Sequence, residues 1–178
     1  MFKKILIVTL VALLLAGCAS AASFKMGLGH TVSIAKSKDA TAEAEGTAQV
    51  DTVMAAVAVD GNGKILSVLI DNAQVRVKFD AAGKVTSDLA ALPKTKKELG
   101  DQYGMLAQSQ IGKEWYQQIE ELEKWMTGKT LAEVKAMKTY QKDDSHPSVP
   151  DEADLKTKVT ISVESYVFAV EEAINSAK

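Results

Sequence analysis

The sequence predicts an α+β protein, an antiparallel sheet of about four to five strands followed by packed helices. Two patterns carry that prediction. Before Pro93 the apolar residues alternate with polar ones at the period of a strand, most cleanly in Gln74–Asp80. After Pro93 they recur at steps of three and four, the period of a helix. A third observation fixes the sense of the sheet. Asp60-Gly61-Asn62-Gly63 lies between two apolar runs and reads as a hairpin turn.

The chain opens on a leader. Lys3 and Lys4 precede the apolar run Ile5–Leu15, broken only by Thr9 and shorter than the roughly 20 residues a membrane span needs. Leu15-Ala16-Gly17-Cys18 closes the run with small residues and then the chain's single cysteine. This is a secretory leader ending in a bacterial lipobox. Residues 1–17 are expected to be removed, with Cys18 becoming a mature N-terminus that carries lipid (palmitate among its acyl chains) on its sulfur and amine. The alternative, ordinary cleavage after Ala19 or Ala22, would discard Cys18. The lipobox places the protein on the outer face of a cell membrane, with 18–25 as a lipidated tether and 26–178 as one domain.

Within that domain a first strand starts near Met26, with Val32 and Ile34 alternating with polar residues. Lys36–Gly46 is a polar loop. Ala48–Asp60 is a second strand carrying Val50, Val53, Val57 and Val59. Lys64–Asp71 returns from the hairpin as a third, with Ile65, Val68 and Ile70. Gln74–Asp80 makes a fourth, half-exposed strand, with Val75, Val77 and Phe79 on one side and Gln74, Arg76 and Lys78 on the other. Ala81-Ala82-Gly83-Lys84 turns the chain toward a short fifth near Val85.

Lys94–Gln110 is a polar connection with one helical turn at Lys96–Leu99. Lys113–Thr127 reads as an amphipathic helix, because Trp115, Ile119, Leu122 and Met126 fall on one stripe. Gly128 is placed to end it in a left-handed conformation. Thr130-Leu131-Ala132-Glu133 is a capping box that starts another helix, with Val134 and Met137 facing inward. Residues 141–150 form a loop. Ser162–Ala177 closes the chain as a helix with Val163, Val167, Val170 and Ile174 on its stripe.

Composition excludes several function classes. The leader holds two lysines and no acid, so the charge of −2 becomes −4 in the mature chain. Lysines are interleaved with acids and Arg76 is the only arginine, which argues against a nucleic-acid partner. With Cys18 lipidated, no thiol remains for a disulfide, a thiolate metal site or cysteine catalysis. His30 and His146 lie in different segments and build no metal site or triad. Ser145-His146-Pro147-Ser148 lacks an orienting partner and oxyanion donors. Asp143, Asp144 and Asp151–Asp154 lack the spacing of a Ca²⁺ loop. Gly27-Leu28-Gly29 has no third glycine and no following helix, so close backbone approach explains it better than a phosphate loop. Trp115, Tyr116 and Trp125 could stack on a planar ligand, although aromatics at helical spacing usually fill a core. No nucleophile–base pair is visible, and no catalytic activity of the chain's own is expected.

The run Val59-Asp60-Gly61-Asn62-Gly63-Lys64-Ile65 followed by Val68-Leu69-Ile70-Asp71 resembles the paired strands of the FMN-binding domain family. Tyr103-Gly104-Met105, Ile111-Gly112-Lys113-Glu114-Trp115-Tyr116 and Gly128-Lys129-Thr130 resemble a branch of that family made of secreted bacterial lipoproteins of Firmicutes type. The resemblance covers most of the mature chain and implies an FMN-binding-domain-like fold. It implies FMN as cofactor, held at Lys158, Thr160 and Ser162 before the last helix, with Tyr103, Trp115 or Tyr116 against the ring. In that family a threonine in a Ser-Gly-Ala-Thr-like motif takes the flavin phosphate, and Thr160 holds the matching position. Here Lys158 replaces the glycine and Val159 the alanine, which argues against a covalent bond at Thr160. Two functions follow as expectations. One is a membrane-anchored electron-transfer module with a redox partner. The other is a cell-surface lipoprotein that binds a small ligand or a partner and has lost flavin.

Overall fold

The structure, a computed structural model, describes residues 23–178. The leader, Cys18 and most of the tether lie outside the described residues. Three long strands, β1 (Phe24–Ser33), β2 (Gly46–Asp60) and β3 (Ile65–Phe79), form an antiparallel sheet in the order β1-β2-β3. Helix α1 (Lys96–Leu99) and two short 3₁₀ turns lead to α2 (Trp115–Met126) and α3 (Leu131–Lys135). A two-residue ladder, β4 (Thr139–Tyr140) with β5 (Val149–Pro150), precedes α4 (Glu164–Ser176). The α+β class stands. β1 takes in Phe24 and Lys25 from the segment read as tether.

The strand count does not stand: the main sheet has three strands, not four to five. The expected third and fourth strands are one. β2 is 15 residues long, so it pairs with β3 continuously through Asp71-Asn72-Ala73, where polarity suggested a break. The expected fifth strand is a single bridge between Phe79 and Val85. It closes a turn in which Asp80 Oδ1 accepts from the amides of Ala82 and Lys84, both at 2.9 Å. The same arrangement makes the β2–β3 hairpin, where Asp60 Oδ1 accepts from Asn62 N at 2.8 Å and Lys64 N at 2.9 Å. Gly63 there has φ +76°, which suits glycine.

The described helices pack on one face of the sheet. Val53, Ala55, Val57, Val68 and Ile70 point from that face into a core closed by Trp115, Ile119, Leu122 and Met126 of α2. The predicted α2 stripe is thus the buried one, with every member at 2% exposure or less. Gly128 follows with φ +84°. The predicted α3 capping box is formed, Thr130 Oγ1 accepting from Glu133 N and the Glu133 carboxylate from Thr130 N.

The predicted α4 stripe packs on the core, with Val163 and Val170 buried and Val167 and Ile174 partly covered, but the buried face also takes in Tyr166, Ala169 and Ala173. β1 is the reason. A Cβ on Gly27 would overlap the Ala173 carbonyl, and one on Gly29 would overlap that of Ala169. Glycine on the strand and alanine on the helix let the two backbones touch, so the helix turns its small residues to the sheet. Gly27 and Gly29 therefore have a packing role. On the opposite face of the sheet, Met26, Leu28, Val32 and Leu69 are exposed.

Candidate functional site

The helix-bearing face of the sheet changes character along its length. At one end its cross-strand pairs are Val57 with Val68 and Ala55 with Ile70. At the other they are Asp51 with Gln74 and Gln49 with Arg76. The sequence alternation of Gln74–Asp80 is correct, but its facing is reversed. Gln74 and Arg76 lie on the side of the helices, and Val75 lies on the uncovered side, 36% exposed.

These polar side chains bind one another. Gln49 Nε2 donates to Asp51 Oδ1 at 2.7 Å, Gln74 Nε2 donates to the same oxygen at 3.1 Å, and Arg76 Nε donates to Gln49 Oε1 at 2.8 Å. Lys36, from the β1–β2 loop, pairs with the other Asp51 oxygen at 3.1 Å. Burial pushes the Asp51 carboxyl up, but the hydrogen bonds from Gln49 and Lys36 outweigh it and hold the group below its usual value.

α1 brings Lys96 over this polar end. Thr95 Oγ1 accepts from Glu98 N and the Glu98 carboxylate from Thr95 N, so a capping box fixes the short helix. Lys97 N donates to Asp71 Oδ1 at 3.1 Å and Lys97 Nζ to Glu123 Oε1 at 2.6 Å, anchoring the turn to β3 and α2. Lys96 itself is 8% exposed. Its ammonium stands 4.7 Å from the Tyr103 ring centroid and 5.1 Å from that of Trp115. Among the described residues it has no ion pair. Burial lowers its pKa to about 8, with the nearby cations Lys36 and Arg76 adding to the effect against Asp51 and Asp71.

Among the described residues five polar side chains are buried: Gln49, Asn72, Lys96, Glu114 and Gln118. Three are satisfied. Gln49 belongs to the network above. Glu114 accepts from Met105 N and Leu106 N at 2.9 and 2.8 Å. Gln118 accepts from Thr160 N at 2.9 Å and donates to the Lys113 carbonyl at 3.3 Å. The other two, Lys96 and Asn72, lack such partners. Asn72 Oδ1 has no hydrogen bond among the described residues. Lys96 and Asn72 line the same cavity of about 190 Å³. Thr31 and Ser33 of β1, Lys36, Asp51, Val53, Gln74, and Ser165 and Tyr166 of α4 complete its walls. Tyr166 Oη accepts from Trp115 Nε1 at 3.0 Å, and burial pushes its own pKa up to about 12, so it stays protonated.

The predicted site residues divide. Trp115 and Tyr103 come together on either side of Lys96. Trp115 is 2% exposed and edge-on to Tyr166 with centroids 6.0 Å apart, so it is core wall and presents no open face. Tyr103 Oη reaches Gln74 Oε1 at 3.5 Å. Tyr116 turns elsewhere, donating to Asp101 Oδ1 at 3.2 Å. Trp125 lies under Lys129, 4.6 Å from its ammonium.

Thr160 and Lys158 sit beside Gln118 and Glu121 of α2, and Ser162 beside Ser148 next to the β5 segment. Thr160 N and Oγ1 both face Gln118 Oε1, at 2.9 and 3.4 Å. Lys158 Nζ pairs with Glu121 Oε2 at 3.2 Å, and the same carboxylate meets Lys113 and Lys124. Ser162 Oγ accepts from Ser148 N at 3.3 Å. A flavin phosphate here would need free donors. The amide and the cation are already committed, and Glu121 would repel the phosphate, so these residues do not fit the group.

His146 Nδ1 meets Asp143 Oδ1 at 2.8 Å within its own loop. No group of three or more His, Cys, Asp or Glu placed to hold a metal ion occurs among the described residues. None of their helices is long and apolar enough to cross a membrane.

Sequence reasoning missed Lys96 and Asn72. Lys96 is one of three lysines in Lys94–Lys97 and reads as solvated. Asn72 sits where the sheet was expected to break. The available signal was the alternation itself, since Gln49, Asp51, Asn72, Gln74 and Arg76 share the parity of the core residues Val53, Ala55, Val68 and Ile70.

No family model matches the chain, and no solved structure matches it. A 40-residue stretch is 55% identical to part of a chlorophenol reductase of Desulfitobacterium hafniense. That stretch covers 22% of this chain and 12% of the relative.

Proposed function

We propose that this chain is a lipid-anchored extracytoplasmic domain that binds a small ligand in the cleft at Lys96 and carries no covalent flavin. One observation supports the binding site above all. The two buried polar side chains left without hydrogen-bonding or charged partners line one cavity, whereas those away from it are satisfied. An unmatched buried polar atom costs stability, and a site that must receive a ligand is a physical reason to keep Asn72 Oδ1 beside an ammonium that has no ion pair. The membrane tether rests on Leu15-Ala16-Gly17-Cys18.

A second reading, an FMN-binding-like electron-transfer module, is favoured by the hairpin resemblance and by the partial likeness to a reductase. In that reading the cofactor supplies the redox chemistry and the chain supplies its place at the membrane. A visible spectrum and intact mass of the lipoprotein purified from its own membranes separate the two. A colourless protein of lipidated mass supports the ligand-binding reading. A flavin spectrum with an FMN-sized mass increment refutes it. Cys18→Ser is expected to release the protein from membranes, and a processed variant still retained there would overturn the anchor.

A further inference from the structure

We infer that the cleft recognises a small carboxylate that also carries an N–H or O–H donor, such as a hydroxy acid or an amino acid. The inference rests on the cleft being a binding site and adds the chemistry of what enters it.

The unused groups define that chemistry. Lys96 brings a positive charge on a largely buried side chain, set against the faces of Tyr103 and Trp115 and with no ion pair among the described residues. Tyr166 Oη accepts one hydrogen bond and has its own proton left to give. Both call for an acceptor, and the charge calls for an anion. Asn72 Oδ1 calls for the opposite, a donor. A ligand satisfying all three joins an anionic oxygen to an N–H or O–H.

Asp51 does not reverse this preference. Its oxygens already accept from Gln49, Gln74 and Lys36, so no free carboxylate waits for a cation. Size narrows the class further. A cavity of about 190 Å³, open to solvent on one side, suits a short acid.

The test is thermal unfolding of the detergent-solubilised lipoprotein with four probes at equal ionic strength: lactate, alanine, acetate and lactamide. Lactate or alanine is expected to raise the midpoint by about 5 °C or more at a hundredfold excess over its Kd. Which of the two does so distinguishes a hydroxy acid from an amino acid. Acetate, lacking the donor, should bind more weakly, and lactamide, lacking the charge, should have no effect. Lys96→Met is expected to weaken the acid by about tenfold or more. Asn72→Leu, which removes the orphaned acceptor, should make acetate equal to the better acid. Stabilisation by lactamide equal to that by lactate overturns the anion assignment and leaves the cleft as a binding site. No shift with any probe, and none changed by either substitution, overturns the cleft reading as well.

Discussion

Lys96→Met should make this protein more stable at neutral pH, although it removes a residue nine-tenths buried. The ammonium titrates at about 8 in the fold against 10.5 in a free chain. At about 1.4 kcal/mol per pH unit, that gap corresponds to roughly 3 kcal/mol lost by folding with the lysine charged. Methionine keeps most of the aliphatic length and lacks the charge. It also forfeits the attraction of the ammonium to Tyr103 and Trp115, worth about 1 kcal/mol. A net gain of about 2 kcal/mol is expected at pH 7. The pH dependence has a definite sign. Between about pH 8 and pH 10.5 the unfolded lysine holds its proton and the folded one has released it. Wild-type stability therefore rises with pH in that window, and the advantage of the variant fades across it. Lys36, Arg76, Asp51, Asp71 and Tyr103 face the same ammonium, and they are common to both proteins. Urea unfolding of both proteins, read as a difference across that window, isolates the lysine. A variant less stable than wild type by 1 kcal/mol or more, with a difference that stays flat, would refute the reasoning.

Gly29→Val should cost about 3 kcal/mol or more, because the new side chain meets the α4 backbone at Ala169 and Ala173, which cannot turn aside. Gly61→Ala, with nothing within 4 Å of the added carbon, should stay within about 0.5 kcal/mol of wild type in the same urea titration. Tyr166→Phe leaves buried Trp115 Nε1 without its acceptor and should cost about 1–3 kcal/mol, seen as a lower midpoint with altered tryptophan fluorescence.

What the sequence made legible is what short-range physics decides. Asp60 and Gly63 make the hairpin through bonds within a few residues, so the pattern suffices. The stripe of α2 and the capping box at Thr130 are likewise local. The length of β3 is not. Asp71-Asn72-Ala73 reads as a break because it interrupts an apolar run, and only a partner strand of equal length carries pairing through it. The face of α4 is not local either. Val163 and Val170 of its stripe are buried, but the bare backbone of β1 at Gly27 and Gly29 also draws Ala169 and Ala173 inward.

The site escaped for a related reason. Sequence periodicity reports which residues share a face, and here the inference from polar to solvent-facing fails at one end of the sheet. Asp51, Gln74 and Arg76 continue the core parity past the point where the helices can fill the space with apolar side chains. A sheet face that must be covered but is polar has two outcomes, a closed network or a cleft. Gln49, Asp51, Gln74 and Arg76 close most of theirs. Lys96 and Asn72 do not close the remainder, and a lysine held there against roughly 3 kcal/mol of stability is a poor choice for packing alone. The same argument separates this cleft from the Thr160 segment. There Gln118 takes the Thr160 amide, Glu121 takes Lys158 and Ser162 takes the Ser148 amide, so the groups expected to receive a phosphate already serve the fold. Among the described residues the buried side-chain atom left without a hydrogen bond, Asn72 Oδ1, lies in the cleft with Lys96.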